Sequence, residues 1–340
     1  MKNNKERIFA IDFTRAFAII LVVAGHWVPE PMPDWWSLIV SLIYTFHMPL
    51  FLAMSGYLYM YSQGRHSYGR FLLGKVKRLM IPYFVTSVIV ISIKLLSQGG
   101  GAYIENPVTL QSYLEILYLP AAGYYLWFIW ALWWMFVITP LFRTRRARLV
   151  LALATLILSF IPIDLPEIFC LRQTKQMFVF FMFGVLLYDW KRYIPINNKG
   201  ASAVTMTGFI VLLVLYAFGY EQVGLIIPYI GVYAVLSVFA VAEPRLLATR
   251  ARSVLMAIAE ASYIIYLFHT VCEGFVKSVA VKLGMLSSDA DYLLSTIIAI
   301  IAGTLVPLIL QRYVLNRFTV TAFLFGLKKE RPRVPRQTSA

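Results

Sequence analysis

Charge is scarce in this 340-residue chain, and acidic charge scarcer still. Asp, Glu, Lys and Arg together make up 14% of it, with 16 acidic residues against 31 basic ones. With 60% apolar residues and a mean hydropathy of +0.73, that scarcity excludes a soluble domain of this length. Lipid leaves only helices or closed barrels as spanning structures. Long apolar runs, rather than ten-residue alternating ones, select helices. Two cysteines supply no disulfide framework, so buried free thiols are expected over a single Cys170–Cys272 bridge. Four scattered histidines and the lack of HExxH or CxxC patterns give no metal site. No internal repeat appears, and the one low-complexity tract is Gln98-Gly99-Gly100-Gly101. The first apolar run carries Asp12 and Arg15 and ends at His26-Trp27 without a small-x-small site. It therefore reads as a retained span and not a cleaved signal.

What remains is an all-α polytopic membrane protein. Apolar runs fall at 9–29, 36–61, 79–97, 124–142, 149–163, 175–190, 201–220, 222–242, 253–275 and 292–311, about ten spans. The fifth and sixth are short, and a re-entrant hairpin there would keep the same parity. The expected division is a membrane-embedded domain over 1–326 and a basic, unstructured tail over 327–340.

The net charge of +15 is distributed by loop. With both termini in the cytosol, Lys2, Lys5, Arg7, Arg65, Arg70, Lys75, Lys77 and Arg78 fall on that side. So do Arg143, Arg145, Arg146, Arg148, Lys191, Arg192, Lys199, Arg245, Arg250 and Arg252. Arg312, Arg317, Lys328, Lys329, Arg331, Arg333 and Arg336 follow near the C-terminus, whereas Arg172, Lys175, Lys277 and Lys282 alone fall outside. This is the positive-inside signature, so the basic excess is a topology signal and no sign of a nucleic-acid partner. Trp27, Trp35 and Trp36 bracket the first outer turn as an aromatic belt. The long outer loops near 98–123 and 276–291 could line an entrance.

Arg15 and His26 flank the apolar run 16–25 of the first span. Eleven helical residues advance about 16 Å and turn roughly 20° past three full turns, so both side chains share one face at two depths. Ionisable residues in such a segment cost roughly 2.5–3.5 kcal/mol on insertion scales and usually face a protein interior or wet cavity. A snorkelling Arg with an interfacial His is the plainer alternative. Asp12, three residues before Arg15, can pair with it. In Phe46-His47-Met48-Pro49, the proline is expected to kink the second span. His47 then either satisfies the break or joins His26 in one cavity. Ser55 and Gly56 fit close helix packing. Lys75 and Arg78 belong to a dense basic cluster suited to phosphates, although topology alone also accounts for it. Ser262, Tyr266 and His269 share a face of the ninth span, lining a cavity or bonding a neighbouring helix. His66 sits in a basic loop and needs no special role.

In combination these residues resemble the acyltransferase-3 family of integral membrane O-acyltransferases. Arg15, ten residues and His26 match its Arg-x10-His signature. Phe46-His-Met-Pro-Leu-Phe51 with Ser55-Gly-Tyr57 is similar to the second-span motif of the fucose 4-O-acetylase-like branch. Lys75-Val-Lys-Arg78 before Pro82-Tyr83 resembles the basic Arg-x-x-Arg element, with Lys in place of the first Arg. Leu126-Trp127-Phe128 and Ser262-Tyr263-Ile-Ile-Tyr266-Leu-Phe-His269 resemble later signatures, although Glu260 stands where a small residue is common.

The resemblance implies acyl transfer from cytosolic acyl-CoA, commonly acetyl-CoA, to a sugar hydroxyl of a cell-surface glycan or lipid-linked precursor. It implies a multi-pass protein of the cytoplasmic (inner) membrane, with acyl-CoA as substrate and no permanently bound cofactor. His26 would act as general base and Arg15 as a donor-steering or charge-stabilising group. Lys75 and Arg78, with Arg15, would hold the donor. His47, Tyr266 and His269 would line the cavity. The competing class is a proton-coupled carrier using intramembrane Arg and His, but carriers commonly show paired halves that are missing here. A structural subunit would leave the charged stripe unexplained.

The topology is directly testable. Cysteines introduced at positions 66 and 145 should resist an impermeant reagent from outside, and one at position 104 should react. Ready labelling at 145 would overturn the assignment of sides.

Overall fold

The computed structural model describes residues 7–63, 67–100, 104 and 106–327. Lys2, Lys5, Arg65, His66 and the basic tail from Lys328 onward, with Arg331, Arg333 and Arg336, lie outside the described residues. Among the described residues the fold is helical throughout, with no strand.

Helices α1 (Phe9–His26), α2 (Asp34–Tyr44) and α3 (His47–Ser62) open the chain. α4 (Tyr68–Lys75) runs through a π turn (Val76–Met80) into α5 (Ile81–Gly99), and the short α6 covers Ser112–Glu115. α7 (Trp127–Ile138), α8 (Arg145–Phe160) and α9 (Leu171–Asp189) follow. α10 (Lys199–Ala217), α11 (Ile227–Leu247), α12 (Ala251–Lys282), α13 (Asp289–Leu310) and α14 (Thr319–Leu324) complete the order.

Among the described residues, eight segments are long and apolar enough to cross a membrane: α1, α2–α3, α4–α5, 124–141, α10, α11, α12 and α13 with its π turn. The expected fifth and sixth spans form the hairpin α8–α9. α8 exposes Val150, Leu153, Ile157 and Phe160 along one side, while α9 buries Phe178, Phe181, Met182 and Val185. Arg148 Nε and Nη2 donate to Asp189 Oδ2 and Oδ1 at 2.7 and 2.8 Å, and Nη1 donates to the Arg143 carbonyl at 2.7 Å. A buried, bidentate pair of this kind fixes the two helix ends together. Arg148 thus has a packing role besides any topological one.

The second span departs from expectation. The chain breaks at Thr45-Phe46 between α2 and α3, before Pro49. Pro49 falls in the first turn of α3, where its missing N–H is one that would have no helical partner anyway. His47 Nδ1–H donates to the Ile43 carbonyl at 2.8 Å and so caps the end of α2.

α1 runs through the middle of the bundle and packs against α3, α11, α12 and α13. Behind it, α3 crosses α9 at backbone distance. A Cβ built on Gly184 would lie 1.8 Å from the Ala53 carbonyl oxygen, and one on Gly56 2.0 Å from that of Phe181. Only glycine fits either position, the small-residue packing common between membrane helices. The loop after α5 does not project outward. Gln98 pairs with the backbone of Val108, Ser92 Oγ meets the Tyr113 hydroxyl at 2.7 Å, and the Tyr83 hydroxyl donates to the Ile116 and Leu119 carbonyls. The chain therefore folds back along α5 and enters α7 from inside the bundle. Cys170 and Cys272 are free thiols.

Gly56→Ala and Gly184→Ala should each lower the thermal unfolding temperature of detergent-purified protein. Overpacking of this kind costs about 1–3 kcal/mol. Gly74→Ala, with nothing within 4 Å of the added Cβ, is the control and should leave the transition in place.

Candidate functional site

Two polar features lie along one side of α1. The first surrounds Arg15. Its Nη2 donates to Asp12 Oδ1, as their spacing predicts, while Asp12 Oδ2 accepts from Arg7 Nε at 2.5 Å. Arg7 Nη1 in turn donates to Glu260 Oε1 at 3.0 Å. This arrangement accounts for Glu260, whose carboxylate, in the third turn of α12, ties that helix to the entrance of α1. Arg15 Nε is buried without a hydrogen-bond partner. The guanidinium forms part of the wall of a cavity of about 150 Å³, together with Leu79, Ser55, Ser262, Tyr263 and Tyr266. Val22 lines the same cavity one helical turn before His26.

The second feature is a cluster of imidazoles and phenols. His26 is the last residue of α1 and half-buried. Its ring centroid lies 5.1 Å from that of His269, 6.1 Å from Tyr125 and 6.3 Å from Tyr44. Tyr44 also meets His47, edge-on at 5.0 Å. His269 Nδ1 lies 2.9 Å from the Tyr266 carbonyl and 3.1 Å from that of Ile265. Those acceptors require the proton on Nδ1, so Nε2 carries the lone pair, and it is buried without a partner. The same logic, with Ile43 as acceptor, leaves the lone pair of His47 on Nε2.

Tyr266 joins the two features. It lines the Arg15 cavity, lies 6.3 Å from His269 and donates its hydroxyl to the Tyr125 carbonyl at 2.7 Å. Tyr125 answers by donating to the Leu267 carbonyl at 2.9 Å. Ser262, Tyr266 and His269 thus share a face, and that face borders the cavity and the cluster. A discontinuous stripe of polar side chains runs from guanidinium to imidazole, with Met48, Phe51, Phe128, Ile129 and Leu132 completing the cavity wall between them.

Lys75 and Arg78 lie off this stripe. The Lys75 ammonium sits 3.3 Å from the Phe136 ring centroid and 5.3 Å from that of Phe71, a cation–π contact. Arg78 is exposed beside Leu79 of the cavity wall, in the π turn that opens α5. Among the described residues no three His, Cys, Asp or Glu side chains are grouped to hold a metal.

Three residues of the site escape sequence reading. Tyr125 lies in a 3-10 turn (Tyr124–Leu126) that leads into α7, and the fold-back of residues 106–123 brings it to the cluster. Tyr44 ends a helix whose break comes earlier than its proline. Glu273, buried with Oε1 unpartnered, stands four residues after His269, so the i, i+4 spacing on α12 carried its signal.

The fold and site define a multi-pass helical membrane protein with a polar interior path. A family profile described as "Acyltransferase domain" matches residues 8–312, and the chain belongs to that family, acyltransferase-3. It is similar to the nodulation protein NolL of Sinorhizobium fredii, with 30% identity over 183 residues, 52% of this chain and 48% of the relative. The nodulation protein NolL of Mesorhizobium japonicum is 27% identical over 226 residues, 64% of this chain and 56% of the relative. The chain thus spans about half the length of these curated relatives. No solved structure matches it.

Proposed function

We propose that the protein moves an acyl group, most simply acetyl, from acyl-CoA at the basic end of the bundle to a sugar hydroxyl at the opposite end. The observation that carries this reading is the stripe linking Arg15 to His26 and His269 through Tyr266. The acceptor is a sugar of a surface glycan or a lipid-linked precursor, and the membrane is the inner, cytoplasmic one. The basic end faces the cytosol, where acyl-CoA is found.

In this mechanism the nucleotide phosphates stay at the basic end and the slender acylated arm enters the cavity past Arg15. Arg15 lies about 16 Å of helix before His26, so it steers the donor by offering N–H donors to polar groups of the arm rather than to the thioester itself. His26 removes the acceptor hydroxyl proton while the oxygen attacks the thioester carbon. The new C–O bond forms, the C–S bond breaks, and the proton passes from His26 to the departing thiolate. His269, with its lone pair on Nε2, stands within one ring contact of His26 and steadies the charge that His26 carries meanwhile.

The test is His26→Gln, which keeps polarity and most of the volume but cannot act as a base near neutrality. Turnover per correctly folded molecule, read as acetylation of isolated surface glycan, should fall about 10²–10⁴-fold. Near-normal turnover would move the base to His47 or His269. The donor side is tested by Lys75→Ala/Arg78→Ala, expected to raise the KM for acetyl-CoA while leaving that for the glycan in place. Arg78→Ala alone should carry the larger share, since the Lys75 ammonium is already engaged by Phe136. An unchanged donor KM in the double variant would reduce the cluster to a topology device.

A further inference from the structure

The rings around His26 differ sharply in access. His269 is fully buried, His47 is 2% exposed and Tyr125 is 7% exposed. Tyr44 is 49% exposed, although its ring meets His26 and His47 edge-on. No other ring of the cluster opens outward to this extent, so a molecule approaching His26 from this side passes over Tyr44. Its hydroxyl makes no hydrogen bond among the described residues. Gly25 explains how the ring comes so close: a Cβ there would lie 3.4 Å from Tyr44 Cε2. The phenol therefore rests against the α1 backbone at the residue before His26. The break at Thr45-Phe46 holds it there, because it ends α2 at Tyr44 and starts α3 at His47.

The structure assigns Tyr44 to an acceptor subsite, a platform on which the C–H face of a pyranose stacks with its reacting hydroxyl toward His26. An aromatic face carries partial negative charge and attracts the weakly positive C–H bonds of a sugar. The phenol hydroxyl, at the rim, is free to bond a second sugar hydroxyl and fix the ring's rotation. An acyl-CoA arm arriving through the Arg15 cavity would reach His26 from the other side, past Val22 and Tyr266. Donor and acceptor thus approach one imidazole from opposite directions. The assignment rests on the acyl-transfer reading above and adds which residue selects the acceptor.

The experiment measures acetyl transfer by the full-length protein in lipid nanodiscs, with acetyl-CoA as donor. The acceptor is surface polysaccharide from cells lacking this chain. Tyr44→Leu keeps bulk and removes the aromatic face, and it should raise the acceptor KM at least tenfold while the acetyl-CoA KM stays within twofold. Tyr44→Trp should keep the acceptor KM within about threefold, because it retains a stacking face. If Tyr44→Leu folds poorly, Tyr44→Phe supplies the second readout: with the platform kept and the rim hydroxyl lost, an intermediate rise is expected. An acceptor KM unchanged in Tyr44→Leu, or donor and acceptor KM rising together, overturns the subsite. Absence of any transfer by the wild-type protein would instead overturn the acyl-transfer reading itself.

Discussion

A helix bearing Asp12, Arg15 and His26 crosses an apolar layer only when other helices surround it. That constraint organises the bundle. Near the entrance, Asp12 accepts from both Arg7 and Arg15, so one carboxylate answers two guanidiniums and its own burial is compensated. Near the far end no carboxylate among the described residues pairs with His26, and aromatic rings surround it. The two ends of α1 thus receive opposite environments, and the polar path between them follows from that difference.

Enclosing α1 requires helices to approach one another closely, and glycine permits it. The α3–α9 crossing places Gly56 and Gly184 against opposing carbonyl oxygens, which brings α3 against α9 on the side away from α1. On the other side, Gly303 of α13 leaves room for Val23 of α1, whose Cγ1 would lie 2.7 Å from an added Cβ. That added Cβ would also lie 3.3 Å from Glu273 Oε1. A buried carboxyl therefore occupies space opened by backbone geometry, one turn beyond His269. Packing and chemistry share these residues.

Much of this was legible in the sequence because periodicity survives burial. The Arg15–His26 spacing, the Asp12–Arg15 pair and the Ser262–Tyr266–His269 face all follow from 3.6 residues per turn. The family resemblance drawn from those motifs is matched over residues 8–312. Local rules failed where the chain stops being a continuous helix. Pro49 looked like the kink of the second span, yet a proline in a first turn costs nothing, and the break settled where His47 could cap α2. The α8–α9 hairpin is one of the two readings that the short fifth and sixth runs allow, and the runs are short because α9 carries Arg172, Gln173, Lys175 and Gln176 in its first turns. Tyr125 is hidden for a different reason: its place depends on hydrogen bonds from Tyr83, Ser92 and Gln98 to the segment around the short α6.

The tautomers of the cluster connect fold to reactivity. A backbone carbonyl near a helix break accepts the Nδ1–H of His47, and carbonyls of its own helix accept that of His269. Each bond removes one ring nitrogen from chemistry and fixes the lone pair on the other. His26 makes no such bond among the described residues, and its position at the end of α1 leaves both nitrogens uncommitted. It can therefore hand a proton from one nitrogen while receiving at the other, which its two neighbours cannot do without breaking a backbone contact. Of the three imidazoles of the cluster, the one at the helix terminus alone keeps both ring nitrogens free of backbone carbonyls among the described residues.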